Sequence, residues 1–311
     1  MAPTDPFDKS FRPATGRAVE LEPGVRVLAA PNPGPMTFTG TNTYLVGTHH
    51  LAIIDPGPDL IDHETAILAA VEGAKVSHIL VTHSHVDHSP LARRLSEKLN
   101  APVCGFGPAA EARSLQMAAL AQEGDLGGGE GVDLAYSPDV ALSDGDCVTG
   151  DGWALNALHT PGHLSDHLCF ALGGTGAVFS GDHVMGWATT MVSPPDGDLT
   201  RFMASLDKMT ERPDRIYYPG HGGPVEDPIG IIAWQKTHRQ GREAQIREAL
   251  LAGPATAMDL AQRIYTDIDQ RLIPAAARNV LAHLIDLSTR NLAKPQGQLT
   301  QSAEFELISG I

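Results

Sequence analysis

Six consecutive residues, His83-Ser84-His85-Val86-Asp87-His88, place three imidazoles and a carboxylate in one short stretch. Packing within a helix or a strand has no use for that density. Imidazole nitrogen and carboxylate oxygen suit zinc, and also manganese or iron where several such donors are present. In a loop, residues 83 and 85 can point to one side while 87 and 88 reach another, which favours two cations over one. Three later segments offer the same kind of donor: His163 in Thr-Pro-Gly-His, Asp182 in Phe-Ser-Gly-Asp and His221 in Tyr-Pro-Gly-His-Gly. Each has a glycine immediately before it, and glycine lets a backbone turn sharply and come close to a site. The expected metal ligands are therefore His83, His85, Asp87, His88, His163, Asp182 and His221.

Two divalent cations about 3.5–4 Å apart can share a water and bring its pKa toward neutrality. The hydroxide so formed would attack a carbonyl carbon or a phosphorus. Asp87 is placed both to ligate and to orient that nucleophile. His183, next to Asp182, is a candidate proton donor to the leaving group; packing beside the site is its alternative reading. Asp55, in Ala-Ile-Ile-Asp-Pro-Gly, reads as a carboxylate that holds a ligand histidine in the right tautomer rather than as a ligand. Thr41, Asn42, Thr43 and Tyr44 either line the pocket or are ordinary strand polarity. His159 and His167, which flank His163, read as structural.

The elements around these residues follow from periodicity and turn signals. Residues 19–28, 36–46 and 51–55 read as strands, rich in Val, Ile, Thr and Tyr. Residues 62–72 have helical spacing. Residues 76–82 form a short apolar strand that ends at the histidine cluster, and residues 90–99 follow as a helix. The cluster thus lies in a strand-to-helix loop, where reactive groups are commonly carried. Residues 109–122 read as one helix, and the glycine-rich run 123–131 as a mobile surface loop. Strands are expected over 153–158, 167–172, 177–180 and 216–218, with a helix over 199–211. Beyond residue 230 come helices over 231–251, 257–265 and 275–290, then a Pro-Gln-Gly turn between two short strands. Three helices and a terminal hairpin suit a winged helix.

Composition bounds the function. The 311 residues are 42% hydrophobic and 19% charged, which suits a packed interior and argues against disorder. The net charge is −15, unfavourable for unspecific binding to nucleic acid. Three scattered cysteines form no CxxC pair and suggest buried thiols in a reducing compartment. No signal peptide and no membrane span are expected, so the anticipated location is cytoplasmic.

In this order, HSHVDH, TPGH, SGD and PGHGGP resemble the metallo-β-lactamase superfamily over roughly residues 19–235. The resemblance implies an α/β fold, an αββα sandwich with metals at one edge. It further implies that His83, His85 and His163 hold one metal, that Asp87, His88 and His221 hold a second, and that Asp182 bridges them. NPGPMTFTGTNTYLVG at residues 32–47, with the winged-helix-like tail, is similar to the β-lactamase-like protein 2 group, linked to single-stranded RNA endonuclease activity. Zinc β-lactamases often carry Cys where Asp182 stands, so antibiotic hydrolysis is disfavoured. The expected organisation is a leader over 1–18, a hydrolase domain over 19–235 and a small C-terminal winged-helix domain over 236–311.

Three functions compete. One is a dinuclear, zinc-dependent hydrolase of phosphodiester or ester-type bonds, with single-stranded RNA as substrate and Arg239, Arg242 and Arg247 as phosphate contacts. Another is a glyoxalase II-like hydrolase of a small thioester or ester. The last is a winged-helix interaction protein with a structural metal, disfavoured because seven ligands leave room for water.

Overall fold

A computed structural model describes residues 6–123 and 126–308. Residues 1–5 of the expected leader and residues 124–125 of the glycine-rich run lie outside the described residues.

Seven strands form the first sheet in chain order: β1 (Val19–Glu22), β2 (Val25–Ala29), β3 (Asn42–Val46), β4 (His50–Ile54), β5 (Lys75–Leu80), β6 (Val103–Gly105) and β7 (Val140–Ala141). The first four pair antiparallel, and the rest parallel. A parallel pair needs a crossover, which α1 (Ile61–Ala70) supplies between β4 and β5 and α2 (Leu91–Leu99) between β5 and β6. The second sheet holds β8 (Cys147–Gly150), β9 (Trp153–His159), β10 (Leu168–Leu172), β11 (Ala177–Gly181) and β12 (Ile216–Pro219), adjacent in that order.

Side-chain alternation decides what lies on each face. Val25, Val27, Tyr44, Val46 and Ile54 of the first sheet meet Leu155, Ala157, Phe170 and Phe179 of the second. Their neighbours Leu28, Leu45, Leu51 and Ile53 point the other way, under Ile67 of α1 and Leu91 and Leu95 of α2. On the far side, Cys169, Ala171 and Val178 pack against Phe202 and Leu206 of α5 (Leu199–Thr210) and Ile232 of α6 (Pro228–Leu250). The result is the helix–sheet–sheet–helix sandwich.

The C-terminal module is built from β13 (Ala255–Thr256), α7 (Ala257–Ile264), α8 (Ile273–Thr289), β14 (Ala293–Pro295) and β15 (Glu304–Leu307), with sheet order β13-β15-β14. A capping box starts α7: Thr256 Oγ1 accepts from the Asp259 N–H while Asp259 accepts from the Thr256 N–H. Helix α6 crosses the anticipated 235/236 boundary. Its first half packs on the sandwich through Ile231 and Ile232, and its second half joins the module's core through Ile246 and Leu250.

Several expectations are corrected. The strand expected over 19–28 is a hairpin, because Pro23 and Gly24, with φ +80° at Gly24, turn the chain. The helix expected over 109–122 breaks into α3 (Ala109–Ala112) and α4 (Leu115–Glu123). At the break, Arg113 bonds Asp196 and Ser114 bonds Asp198 at 2.8 Å. Residues 126–131 of the glycine-rich run are tied in. Leu126 is buried, the Gly129 N–H donates to Asp196 at 2.6 Å, and the Gly131 carbonyl accepts from Val86 at 2.8 Å. Cys104 and Cys169 are buried, and burial raises their thiols to about 11 and about 12, but Cys147 is exposed. Among the described residues, no helix is long and apolar enough to cross a membrane.

Candidate metal centre

Five strands end on one edge of the sandwich, and the loops leaving them carry the candidate residues. Asp55 follows β4, and the hexad His83–His88 follows β5. His163, Asp182 and His221 follow β9, β11 and β12. The glycines that precede the last three are required by close approach. A Cβ at Gly220 would lie 2.5 Å from Asp182 Oδ1, and one at Gly162 would lie 2.4 Å from the backbone of Phe202.

All seven expected ligands converge. Donor atoms of His83, His85, His163 and Asp182 lie within 4.8 Å of one another, and so do those of Asp87, His88 and His221. His85 Nδ1 is 2.9 Å from His83 Nε2 and 3.0 Å from His163 Nε2. In the second group, His221 Nε2 is 3.3 Å from His88 Nε2 and 3.2 Å from Asp87 Oδ2. Asp182 touches both: its Oδ2 is 3.6 Å from His163 Nε2 and 3.4 Å from His221 Nε2, and its Oδ1 is 3.6 Å from His88 Nε2. Asp182 Oδ1 is buried and has no hydrogen-bond partner among the described residues. Clustered imidazole nitrogens facing one another around an orphaned carboxylate oxygen fit shared cations.

Four of the five rings have a partner on their other nitrogen, that of His83 being Thr82 Oγ1 at 2.9 Å. Asp55 Oδ2 accepts from His88 Nδ1 at 2.9 Å, so Nε2 faces the cluster. Asp55 also accepts from the Thr82 N–H at 2.7 Å and from Thr82 Oγ1 at 2.8 Å, which anchors the start of the hexad. His163 Nδ1 pairs with the Met191 carbonyl at 2.8 Å, and His221 Nδ1 with the Gly40 carbonyl at 3.2 Å. Such partners hold the Nδ1 proton, so that the nitrogen facing the cluster is the one free to ligate, in His88 and His221 once its own proton has left.

The two groups differ in charge. Burial, then the neighbouring imidazoles, lower His83 well below its ordinary value. Burial, then His163, lower His85 to about 3, and burial lowers His163. In the other group burial also opposes charge, but the carboxylates outweigh it. Asp87, Asp182 and Asp55 raise His88 to about 9, and Asp182 and Asp87 raise His221. Burial pushes Asp87 and Asp182 upward, yet the facing His88 and His221 hold both carboxyls below their usual range.

The remaining candidates separate. Thr41 Oγ1 reaches Asp87 Oδ2 at 3.3 Å and borders the site. Asn42 instead holds the Pro219–Gly222 turn by donating to the carbonyls of Pro219 and Gly222 at 3.0 and 2.9 Å, and Tyr44 donates to Pro219 at 2.7 Å. Thr43 donates to the Asp55 carbonyl at 2.6 Å. His159 stacks on Phe106 at 4.1 Å. His167 Nε2 accepts from the Asp182 N–H at 3.1 Å, so it positions a donor from behind. His183 is fully buried with its ring edge-on to Phe202 at 5.1 Å, and it belongs to neither donor group; burial lowers it to about 3. Asp166 was not anticipated. It accepts from the Ser84 N–H at 3.0 Å, and burial raises it to about 7. A carboxylate that grips backbone leaves no spacing signal in a sequence, and neither does the Met191 carbonyl.

Of the three arginines expected to meet phosphate, Arg239 and Arg242 are engaged elsewhere, and Arg247 is exposed on α6. Arg239 is buried and donates to Thr190 O and Asn279 Oδ1. Arg242 lies 3.8 Å over the Tyr265 ring and donates to Gln245.

Residues 36–221 match the metallo-beta-lactamase superfamily, and residues 256–301 match the beta-lactamase associated winged helix domain. A beta-lactamase-like protein 2 homolog of Drosophila melanogaster is 35% identical over 276 residues, 85% of this chain and 87% of that protein. An atrochrysone carboxyl ACP thioesterase of Aspergillus fumigatus is 34% identical over 235 residues; the match spans 73% of this chain and 64% of the thioesterase. Among solved structures, a metallo-beta-lactamase family protein from Thermus thermophilus superposes with a TM-score of 0.74 at 26% identity, over 93% of this chain and 100% of that one.

Proposed function

The chain belongs to the metallo-beta-lactamase superfamily of hydrolases, and we propose that it is a dinuclear zinc enzyme that cleaves a small acyl thioester or ester. The observation that carries the reading is the convergence of five imidazoles and two carboxylates in two adjoining groups with Asp182 between them. His83, His85 and His163 would hold one cation, Asp87, His88 and His221 the other, and Asp182 both. Nitrogen-rich donors of this kind suit zinc. Bound there, a cation pair would supply Lewis acidity at the acyl oxygen and make water a nucleophile near neutral pH.

The chain's own residues would do the rest. The side chain of Asp87 is 22% exposed, against 9% for Asp182 and 1% or less for His88 and His221. Asp87 therefore stands on the open side, where its carboxylate can accept a hydrogen bond from the attacking water and orient it. Thr41 Oγ1 donates to Oδ2 of that carboxylate. Asp55, His167 and Asp166 keep the donors aimed, which lowers the reorganisation needed when substrate arrives.

An ester substrate is supported over RNA by three features. The net charge is −15, Arg239 and Arg242 are spent on internal contacts, and a thioesterase stands among the relatives. Phosphate recognition ordinarily needs a basic stripe. The test is a panel on zinc-loaded protein: an acyl thioester, an aryl ester, single-stranded RNA, a phosphodiester reporter and a β-lactam. Thioester or ester turnover that EDTA abolishes is expected. RNA cleavage without ester turnover would reverse the substrate assignment.

A further inference from the structure

The segment from Thr190 to Pro194 lies between the metal centre and the C-terminal helices, and side chains of α6 and α8 grip it at Thr190, Val192, Ser193 and Pro194. The Arg239 guanidinium donates to the Thr190 carbonyl. The Val192 N–H donates to Asn279 Oδ1 at 3.1 Å. Arg278 donates to Ser193 Oγ at 2.9 Å and to the Pro194 carbonyl. Asn279 is itself anchored, since its Oδ1 also accepts from Arg239 Nη1 at 3.1 Å.

One peptide unit in this segment faces both ways. The Met191 carbonyl pairs with His163 Nδ1 at 2.8 Å, and the N–H of that same peptide, on Val192, goes to Asn279. A peptide is planar and its C=O and N–H point in opposite directions, so fixing one end fixes the other. Asn279 thereby sets the direction in which the Met191 carbonyl meets the His163 ring. Arg239 is buried on the Phe202 face at 5.4 Å, with neutral oxygens as its hydrogen-bond acceptors among the described residues. A guanidinium in that setting is costly unless its fixed fork is used, and here it is used to hold Thr190 and Asn279 together.

We infer that Asn279, braced by Arg239, is a positioning residue for His163, acting through the Met191–Val192 peptide. The C-terminal module therefore orients one donor of the metal centre. The consequence for cation affinity rests on the function proposed above; the consequence for the His163 tautomer does not.

Two variants test this. Asn279→Leu keeps the γ-branched outline and removes the acceptor, while Asn279→Asp keeps the acceptor opposite Arg239. In cation-free protein, nitrogen-15 NMR of the wild type and of Asn279→Asp is expected to show His163 as the Nδ1–H tautomer. Asn279→Leu is expected to show a mixture of tautomers. Zinc titration against a chelator is expected to find one equivalent bound about 10–100-fold more weakly in Asn279→Leu, and restored in Asn279→Asp. Should Asn279→Leu not fold, Asn279→Ser, whose hydroxyl is too short to reach Val192, carries the same expectation. An unchanged tautomer in the acceptor-free variant would overturn the inference. So would an Asp variant as impaired as the Leu variant, since the defect would then be one of packing. Wild-type protein that binds no zinc would sink the proposed function and leave the tautomer measurement to decide this inference alone.

Discussion

The two halves of the metal centre are built from similar donors yet sit in opposite electrical states. Burial lowers His83, His85 and His163; neighbouring imidazoles add to it at His83 and His85, while Asp182 opposes it at His85 and His163 without overcoming it. His88 and His221 are just as buried but face Asp87, Asp182 and Asp55, and the carboxylates keep them protonated. The histidine half therefore presents lone pairs in advance. In the carboxylate half, the carboxylates favour protons on the same imidazole nitrogens that a cation would take. Composition of the ring of neighbours, more than burial, separates a site ready for a cation from one that must exchange protons for it.

The largest effect should come from the residue that belongs to both halves. Asp182→Asn is expected to reduce turnover at least about a thousandfold, the scale of several kcal/mol of lost charge stabilisation, and to lower bound zinc on both sides. Metal analysis beside kinetics checks this, and turnover within tenfold of wild type would erase the idea of a shared carboxylate.

The pH dependence of binding separates the halves directly. His88 is raised to about 9 and His221 is also raised, so both carry protons at neutral pH when no cation is present. A cation entering there displaces them, so its affinity should rise with pH, by up to about tenfold per unit for each proton released. The histidine half, already neutral, should show a shallower slope between pH 6 and 8. Equal slopes for the two zinc equivalents would remove the distinction.

Asp55→Asn sharpens the contrast without touching a donor. It weakens the grip on His88 Nδ1 and should cost about 10–100-fold in affinity in the carboxylate half, and less in the histidine half, which Asp55 reaches only through Thr82. Titration with two resolved equivalents would show whether the loss falls mainly on that side. The smallest catalytic effect is expected from His183→Ala. Turnover should be unchanged, while the cavity left beside Phe202 lowers unfolding stability by about 2 kcal/mol. A hundredfold fall in turnover in a well-folded variant would return His183 to the role of proton donor.

Much of the site could be read from the chain because cation ligands come in few residue types and their spacing follows strand ends. The hexad and the three glycine-preceded donors are visible as text, and so are the apolar strands before them; the sandwich was an expectation from the family resemblance. Asn42 and Tyr44 were visible as polar strand residues, but their actual work, holding the Pro219–Gly222 turn, links positions more than 170 residues apart. The break at Arg113-Ser114 was hidden for the same reason: it answers to Asp196 and Asp198 on a distant loop. Arg239 was expected as a phosphate contact and is a buried clamp.

By itself the sequence determined which atoms can bind a cation and the order in which strands deliver them, because donor chemistry and hydrophobic period are local properties. Only the tertiary structure decided how closely those donors stand, which histidines favour a proton, and which carboxylate or carbonyl aims His88, His163 and His221. Those depend on through-space distances between remote segments, and electrostatic and hydrogen-bond energies fall off over a few ångströms regardless of position along the chain.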